Sequence, residues 1–129
     1  MEELPPLNVL LTHLDWNLKR MAEMETHERT EYFRNAALQR YGFTFDSAVR
    51  CIRARARDNQ ESCNSPEECL RLANERGWLP QDTDWGEMLE SYRKMKPDAL
   101  DQHGDAIFDK LKQYHTVFST LHTRLAQQS

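Results

Sequence analysis

The chain has 129 residues, 29% of them charged and 39% hydrophobic, and a formal net charge of -4. That is about one domain of globular, polar-surfaced protein, taken here as a single unit over residues 1–129, and its acidity argues against the broad basic footprint of a nucleic-acid-binding domain. Four glycines and five prolines leave little material for the many tight turns of a β-protein, while Leu, Ala, Arg, Glu, Gln and Met favour helix.

The first helix is read from Leu7, Leu10, Leu11, Leu14, Leu18 and Met21, spaced by three and four on one face, and ends near Thr26. Pro5 and Pro6 precede it, where proline is tolerated. The start of the chain lacks the basic and apolar segments of a signal peptide, and no apolar run approaches the roughly 20 residues of a membrane span. A cytoplasmic protein is expected.

A second helix is predicted from about Glu28 to Asp58, with Phe33, Ala36, Ala37, Tyr41, Phe45, Ala48, Val49 and Ile52 on its apolar side. Gly42 inside it costs on the order of 1 kcal/mol against alanine. Either another helix approaches closely there or the helix bends. Its last turns carry Arg50, Arg53, Arg55 and Arg57. Of these, Arg50, Arg53 and Arg57 share a face and read either as a phosphate-gripping stripe or as a solvated helix end.

Asn59 to Asn64 is a polar loop. Ser65-Pro66-Glu67-Glu68 then opens a third helix, with serine as cap, proline in the first turn and Glu68 completing a capping box. Gly77 stops it in the left-handed position. Asp84 caps a fourth helix bearing Trp85, Met88, Leu89 and Tyr92, which must end before Pro97. A second basic cluster, Arg93, Lys94 and Lys96, lies at its end. Asp101 is expected to cap the last helix, whose Ile107, Leu111, Tyr114, Phe118, Leu121 and Leu125 alternate by four and three. Three long helices and two shorter ones make an all-α, up-and-down antiparallel bundle of four to five helices. Its apolar faces, with Trp78, Trp85 and Tyr92 among their large residues, exceed what one such bundle easily hides. A homodimer is therefore expected.

Catalytic signatures are sparse. His13, His27, His103, His115 and His122 form no His-Glu-x-x-His pair and no repeated carboxylate–histidine couple, so they read as solvated or interface residues, with no metal or cofactor expected. No glycine-rich phosphate loop or nucleophile elbow occurs. Cys51, Cys63 and Cys69 are an odd number without metal-ligand spacing and read as reduced thiols. Cys51, near the buried side of its helix, reads as a packed small residue.

Two stretches carry a family resemblance. One runs from Arg34 to Ala48 (Arg-Asn-Ala-Ala-Leu-Gln-Arg-Tyr-Gly-Phe-Thr-Phe-Asp-Ser-Ala), the other from Ser65-Pro66 through Gly77-Trp78-Leu79 to Trp85-Gly86-Glu87-Met88-Leu89-Glu90. In this order the chain resembles, over roughly residues 30–125, the nucleotidyltransferase substrate-binding proteins of the HEPN superfamily of helical bundles. The resemblance implies a homodimeric helical subunit beside a minimal nucleotidyltransferase, with a nucleotide as candidate ligand and a toxin–antitoxin pair as candidate context. It also implies that the ends of the second and fourth helices lie near the dimer cleft, which nominates Arg50, Arg53 and Arg93 for nucleotide or partner binding.

The chain departs from that pattern where Gly42 and Val49 stand at positions of a common glutamate and tryptophan. Its Arg-Asn…His motif is also incomplete. Arg93 fits the arginine with one residue inserted, the asparagine has no counterpart, and the histidine position holds Pro97 or Asp98. His103 lies too far along. Without a histidine to move a proton, the site reads as degenerate and the chain as non-catalytic. The alternatives are a ribonuclease toxin with a rearranged site and an unrelated helical adaptor.

Overall fold

A computed structural model describes residues 4–24, 30–95 and 97–127, without the side chains of residues 97–102. It contains six helices: α1 (Leu7–Glu23), α2 (Glu31–Asp58), α3 (Pro66–Glu75), α4 (Trp85–Arg93), α5 (Pro97–Phe108) and α6 (Leu111–Gln127). No strand occurs among the described residues, and none of their helices is long and apolar enough to cross a membrane.

Each start has a local cause. The Thr30 side chain accepts from Phe33 N–H at the head of α2, Ser65 from Glu68 N–H at α3, and Asp84 from Glu87 N–H at α4. These bonds occupy helix-terminal donors that have no intrahelical partner. Glu68 turns back as its spacing suggested, but its carboxylate takes the N–H of Asn64, one residue before the cap. At the end of α3, Gly77 sits at φ 74°. Trp78 N–H reaches the Ala73 carbonyl and Gly77 N–H the Asn74 carbonyl, the two bonds of a Schellman stop.

Polar contacts give the helix directions. The Thr44 hydroxyl lies 3.4 Å from the Asn17 carbonyl and the Arg57 guanidinium donates to the carbonyls of Leu4 and Pro5, so α1 and α2 are antiparallel. His115 Nε2 and His122 Nε2 each lie 3.0 Å from a carbonyl of α1, those of Leu18 and Leu11. The matching seven-residue steps run α6 antiparallel to α1. Between α2 and α6 the chain climbs back along α2 in pieces: Cys63 beside Arg53, Tyr92 beside Phe45, Asp105 beside Arg34. The up-and-down bundle is thus present in four legs, the third broken into α3, α4 and α5.

That break corrects the expectation of one last helix capped by Asp101. Pro97, expected only as a barrier, opens α5, where the missing N–H costs no helical bond. Ile107 belongs to α5, and the seam proper is Leu111, Tyr114, Phe118, Leu121 and Leu125 of α6, all buried. Asp101 falls inside α5, its side chain outside the described set.

Tyr41 and Phe45 of α2 pack on Phe118, each with ring centroids 6.1 Å away, and Tyr41 on Tyr114 at 5.1 Å. Phe45 stacks on Tyr92 of α4 at 4.1 Å. Fully burying one such side chain contributes roughly 1.5–3 kcal/mol. The polar ends are satisfied: Tyr41 OH donates to the Met88 carbonyl, and Tyr114 OH bonds Ser91 and donates to Glu87, whose other oxygen pairs with Lys110. Burial holds the Tyr41 phenol well above its ordinary pKa and is the main cause pushing that of Tyr114 up to about 12. At Gly42 the close approach is by a side chain, since a Cβ there would stand 2.9 Å from Met95 Cε.

Cys63 and Cys69 form a disulfide, which corrects the reading of all three cysteines as reduced thiols. The polar loop folds back on α3, and the bond ties its end to the first turns of that helix with Cα atoms 5.1 Å apart. Cys51 is fully buried, and desolvation pushes its thiol up to about 12, so its expected role as packing holds.

Candidate functional site

Most large apolar side chains are inside, Trp78 among them at 2% exposure, so it is not left over for a dimer interface. Trp85 and Tyr92 are half-buried against the core. Among the described residues, the large apolar ones that remain exposed are Val9, Trp16, Tyr32 and Phe43, at 39, 53, 75 and 47% exposure. All four belong to the outer faces of α1 and α2.

Two cavities open on this face. In the first, of about 450 Å³, α2 contributes Arg40, Phe43, Ser47 and Arg50, and α1 contributes His13, Trp16 and Asn17. The α2 residues step by three, four and three, one stripe of a helix. With Asn17 beside Thr44, the antiparallel register sets Trp16 across from Phe43 and His13 towards Arg50. Arg20 lies over the Trp16 indole at 5.3 Å and pairs with Glu23 at 2.7 Å. The guanidiniums of Arg40 and Arg50 have no ion pair or hydrogen bond among the described residues, although the Arg40 carbonyl accepts the Thr44 hydroxyl.

The second cavity, about 560 Å³, lies across Phe43 and Asp46, which line both, and extends to Tyr32, Gln39 and Met95. Asp46 is engaged: its carboxylate accepts the Tyr92 hydroxyl, and that bond is the largest cause holding the Tyr92 phenol up at about 12. The face therefore presents exposed rings and two guanidiniums without a partner among the described residues, with its one shared carboxylate accepting the Tyr92 hydroxyl.

The arginines nominated from sequence separate. Arg50 lines the first cavity. Arg53 is half-buried, its Nε donating to the Cys63 carbonyl at 3.2 Å and its Nη2 to that of Asn64 at 3.4 Å, so it holds the disulfide loop. Arg93 is exposed in the last turn of α4 and pairs with Glu90 at 3.4 Å. No bond joins Arg93 to the half-buried His103 among the described residues. Arg57 is drawn to the start of the chain. Arg55, off the expected stripe, is buried and donates to the Leu125 carbonyl at 2.6 Å, in the last turn of α6 where the helix dipole favours a cation.

Sequence reasoning missed Arg40, His13 and Phe43. The signal was the step from Arg40 through Phe43 to Arg50, hidden beside the stronger apolar stripe of Tyr41, Phe45, Ala48 and Ile52. Three or more His, Cys, Asp or Glu side chains grouped to hold a metal do not occur among the described residues.

A comparison with curated proteins finds no match. A family model described as "Nucleotidyltransferase substrate binding protein like" matches residues 11–127.

Proposed function

Starting from the fact that the chain belongs to the nucleotidyltransferase substrate-binding-protein-like family, we propose that it is a non-catalytic subunit that docks on a minimal nucleotidyltransferase and holds that enzyme's substrate. The observation that carries this reading is the row of exposed large apolar residues along α1 and α2, interleaved with Arg40 and Arg50, whose guanidiniums have no partner among the described residues. Exposed aromatics beside arginine are the composition of interface anchors, and the core of the bundle is closed by other large side chains without them.

The proposal places the partner over the cavity at Tyr32 and Met95, with the open guanidinium of Arg50 and the rim charge of Arg93 facing an acidic surface. Arg53 acts through the loop it holds. A homodimer, a cytoplasmic setting and a toxin–antitoxin pairing belong to the same reading. In this reading Pro97 or Asp98 stands at the family's histidine position, and the purified chain is expected to leave RNA uncut.

Co-expression with a candidate nucleotidyltransferase, followed by size-exclusion chromatography with light scattering, tests the docking. A stable complex is expected, and Tyr32→Glu should break it while leaving the thermal melt of the chain unchanged. A complex indifferent to Tyr32→Glu and to Phe43→Glu would move the interface off this face. A monomer mass for the free chain at tens of micromolar would refute the homodimer.

A further inference from the structure

We propose that the cavity between α1 and α2 binds an aromatic anion the size of a mononucleotide, with its ring between Trp16 and Phe43 and its phosphate at the Arg50 end. This rests on the reading of the chain as a substrate-holding subunit and states what class of substrate it holds. The volume of about 450 Å³ falls within the roughly 300–1,000 Å³ of small-molecule sites.

The lining divides by chemistry along the groove. At its centre Trp16 and Phe43, 53 and 47% exposed, present aromatic surface that a protein core would otherwise cover. Arg20 over the indole at 5.3 Å helps hold that ring in place before any ligand arrives. Towards one end Arg50 stands with His13, two nitrogen donors on facing helices. At the other end is Arg40.

Arg40 and Arg50 are ten residues apart on α2, so their Cα atoms are about 15 Å apart along the axis. They cannot act as a single clamp, and they bracket the rings instead. Neither guanidinium has an ion-pair partner among the described residues, although Asp46 shares the lining, and such a group can take a phosphate through forked donors that match its oxygens. Asp46, the carboxylate of the lining, keeps its charge while accepting the Tyr92 hydroxyl, and it lies on the side shared with the second cavity, so the lining holds two guanidiniums against one carboxylate. That balance favours an anion over a cationic ligand such as a polyamine.

The test is titration of the free chain with AMP, adenosine, ribose 5-phosphate and spermine, read by tryptophan fluorescence and by calorimetry. AMP is expected to bind saturably, with adenosine and ribose 5-phosphate each weaker by about tenfold or more, since each lacks one half of the match. Arg50→Ala and Trp16→Leu should each weaken AMP by about tenfold or more, Arg50→Lys by less, and added salt should weaken it further. Arg50 and Trp16 are exposed, so both variants should melt like the parent. The proposal is overturned if AMP binds no tighter than adenosine, if spermine competes with it, if the variants bind as the parent does, or if no probe binds at about 10 mM. Capture of a nucleotidyltransferase by a chain that fails all these titrations would overturn the site alone. AMP binding by a chain that captures no such enzyme would uphold the site and count against the subunit reading.

Discussion

Removing the Cys63–Cys69 bond tests the part of the structure that departs most from the sequence expectation. The bond closes a short loop, with a sequence separation of six. Chain-entropy reasoning for a loop of that size gives about 2 kcal/mol of stabilisation, acting through the unfolded state. With an unfolding entropy of about 2.1 cal/mol/K per residue over 129 residues, the midpoint should fall by about 8 °C. The native contacts should survive, because Arg53 still holds the carbonyls of Cys63 and Asn64, Glu68 still takes the Asn64 N–H, and Arg76 still pairs with Glu61. The assay is a pair of thermal melts, of the parent with and without dithiothreitol and of the Cys63→Ser/Cys69→Ser double variant, beside a thiol titration of the denatured, non-reduced chain. One free thiol, Cys51, is expected. A titre of three thiols, or a midpoint indifferent to reductant and to the double substitution, would refute the reasoning. In a reducing cytosol, where such bonds are rare, the same loss of stability would accompany reduction.

Leu111→Ala and Phe118→Ala should each destabilise the fold by about 2–5 kcal/mol, because both side chains are buried in the α6 seam, and urea melts that overlay the parent would show that the seam is not core. Gly77→Ala should cost about 1 kcal/mol in the same melts, since φ 74° admits glycine and resists a Cβ even though nothing there would clash with it. Hydrogen bonds from Lys110 and then Tyr114 hold the Glu87 carboxyl below its ordinary 4.5. Its contribution should therefore be present above pH 4.5 and be lost as the pH falls through the lower folded value, and Glu87→Gln should flatten that acid limb. Tyr114, raised to about 12, should contribute below pH 10 and lose its contribution as the pH climbs towards 12; Tyr114→Phe should make that limb shallower, with Tyr41 and Tyr92 supplying the rest.

The helices were readable because their signals are local. Ser65 and Asp84 cap where their spacing says, Gly77 stops α3, and Leu7 through Met21 mark the buried face of α1. What escaped depends on residues far apart in the chain. Whether Pro97 ends one helix or begins another is decided by the turn around it and by what α5 packs on, such as Arg34 against Gly104. The disulfide needs the loop at Cys63 folded onto α3, which cysteine spacing alone does not announce. The arginine run looked uniform, yet Arg50, Arg53 and Arg55 end in a cavity, a loop and the core, because the elements around α2 differ on each side. Trp16 stands apart from the leucine stripe of α1, and only the structure shows that it is 53% exposed beside α2. The step from Arg40 through Phe43 to Arg50 was easy to pass over, because an aromatic two positions from both Tyr41 and Phe45 looks like surface filler until α1 lies beside it.

The aromatic cluster shared by α2 and α6 has a consequence for how the chain is made. Tyr41 and Phe45 are synthesised 73 or more residues before Phe118, which closes over them. At about 5–20 residues per second, that interval lasts about 4–15 s on the ribosome. Through it the α1–α2 hairpin can form, but the other side of α2 has no lasting cover, and the nascent chain carries an open aromatic surface until its final helix emerges. A message truncated before Phe118 would yield an incomplete bundle suited to chaperone capture, whereas faster translation of the last third of the chain would shorten the period in which two nascent copies can stick together.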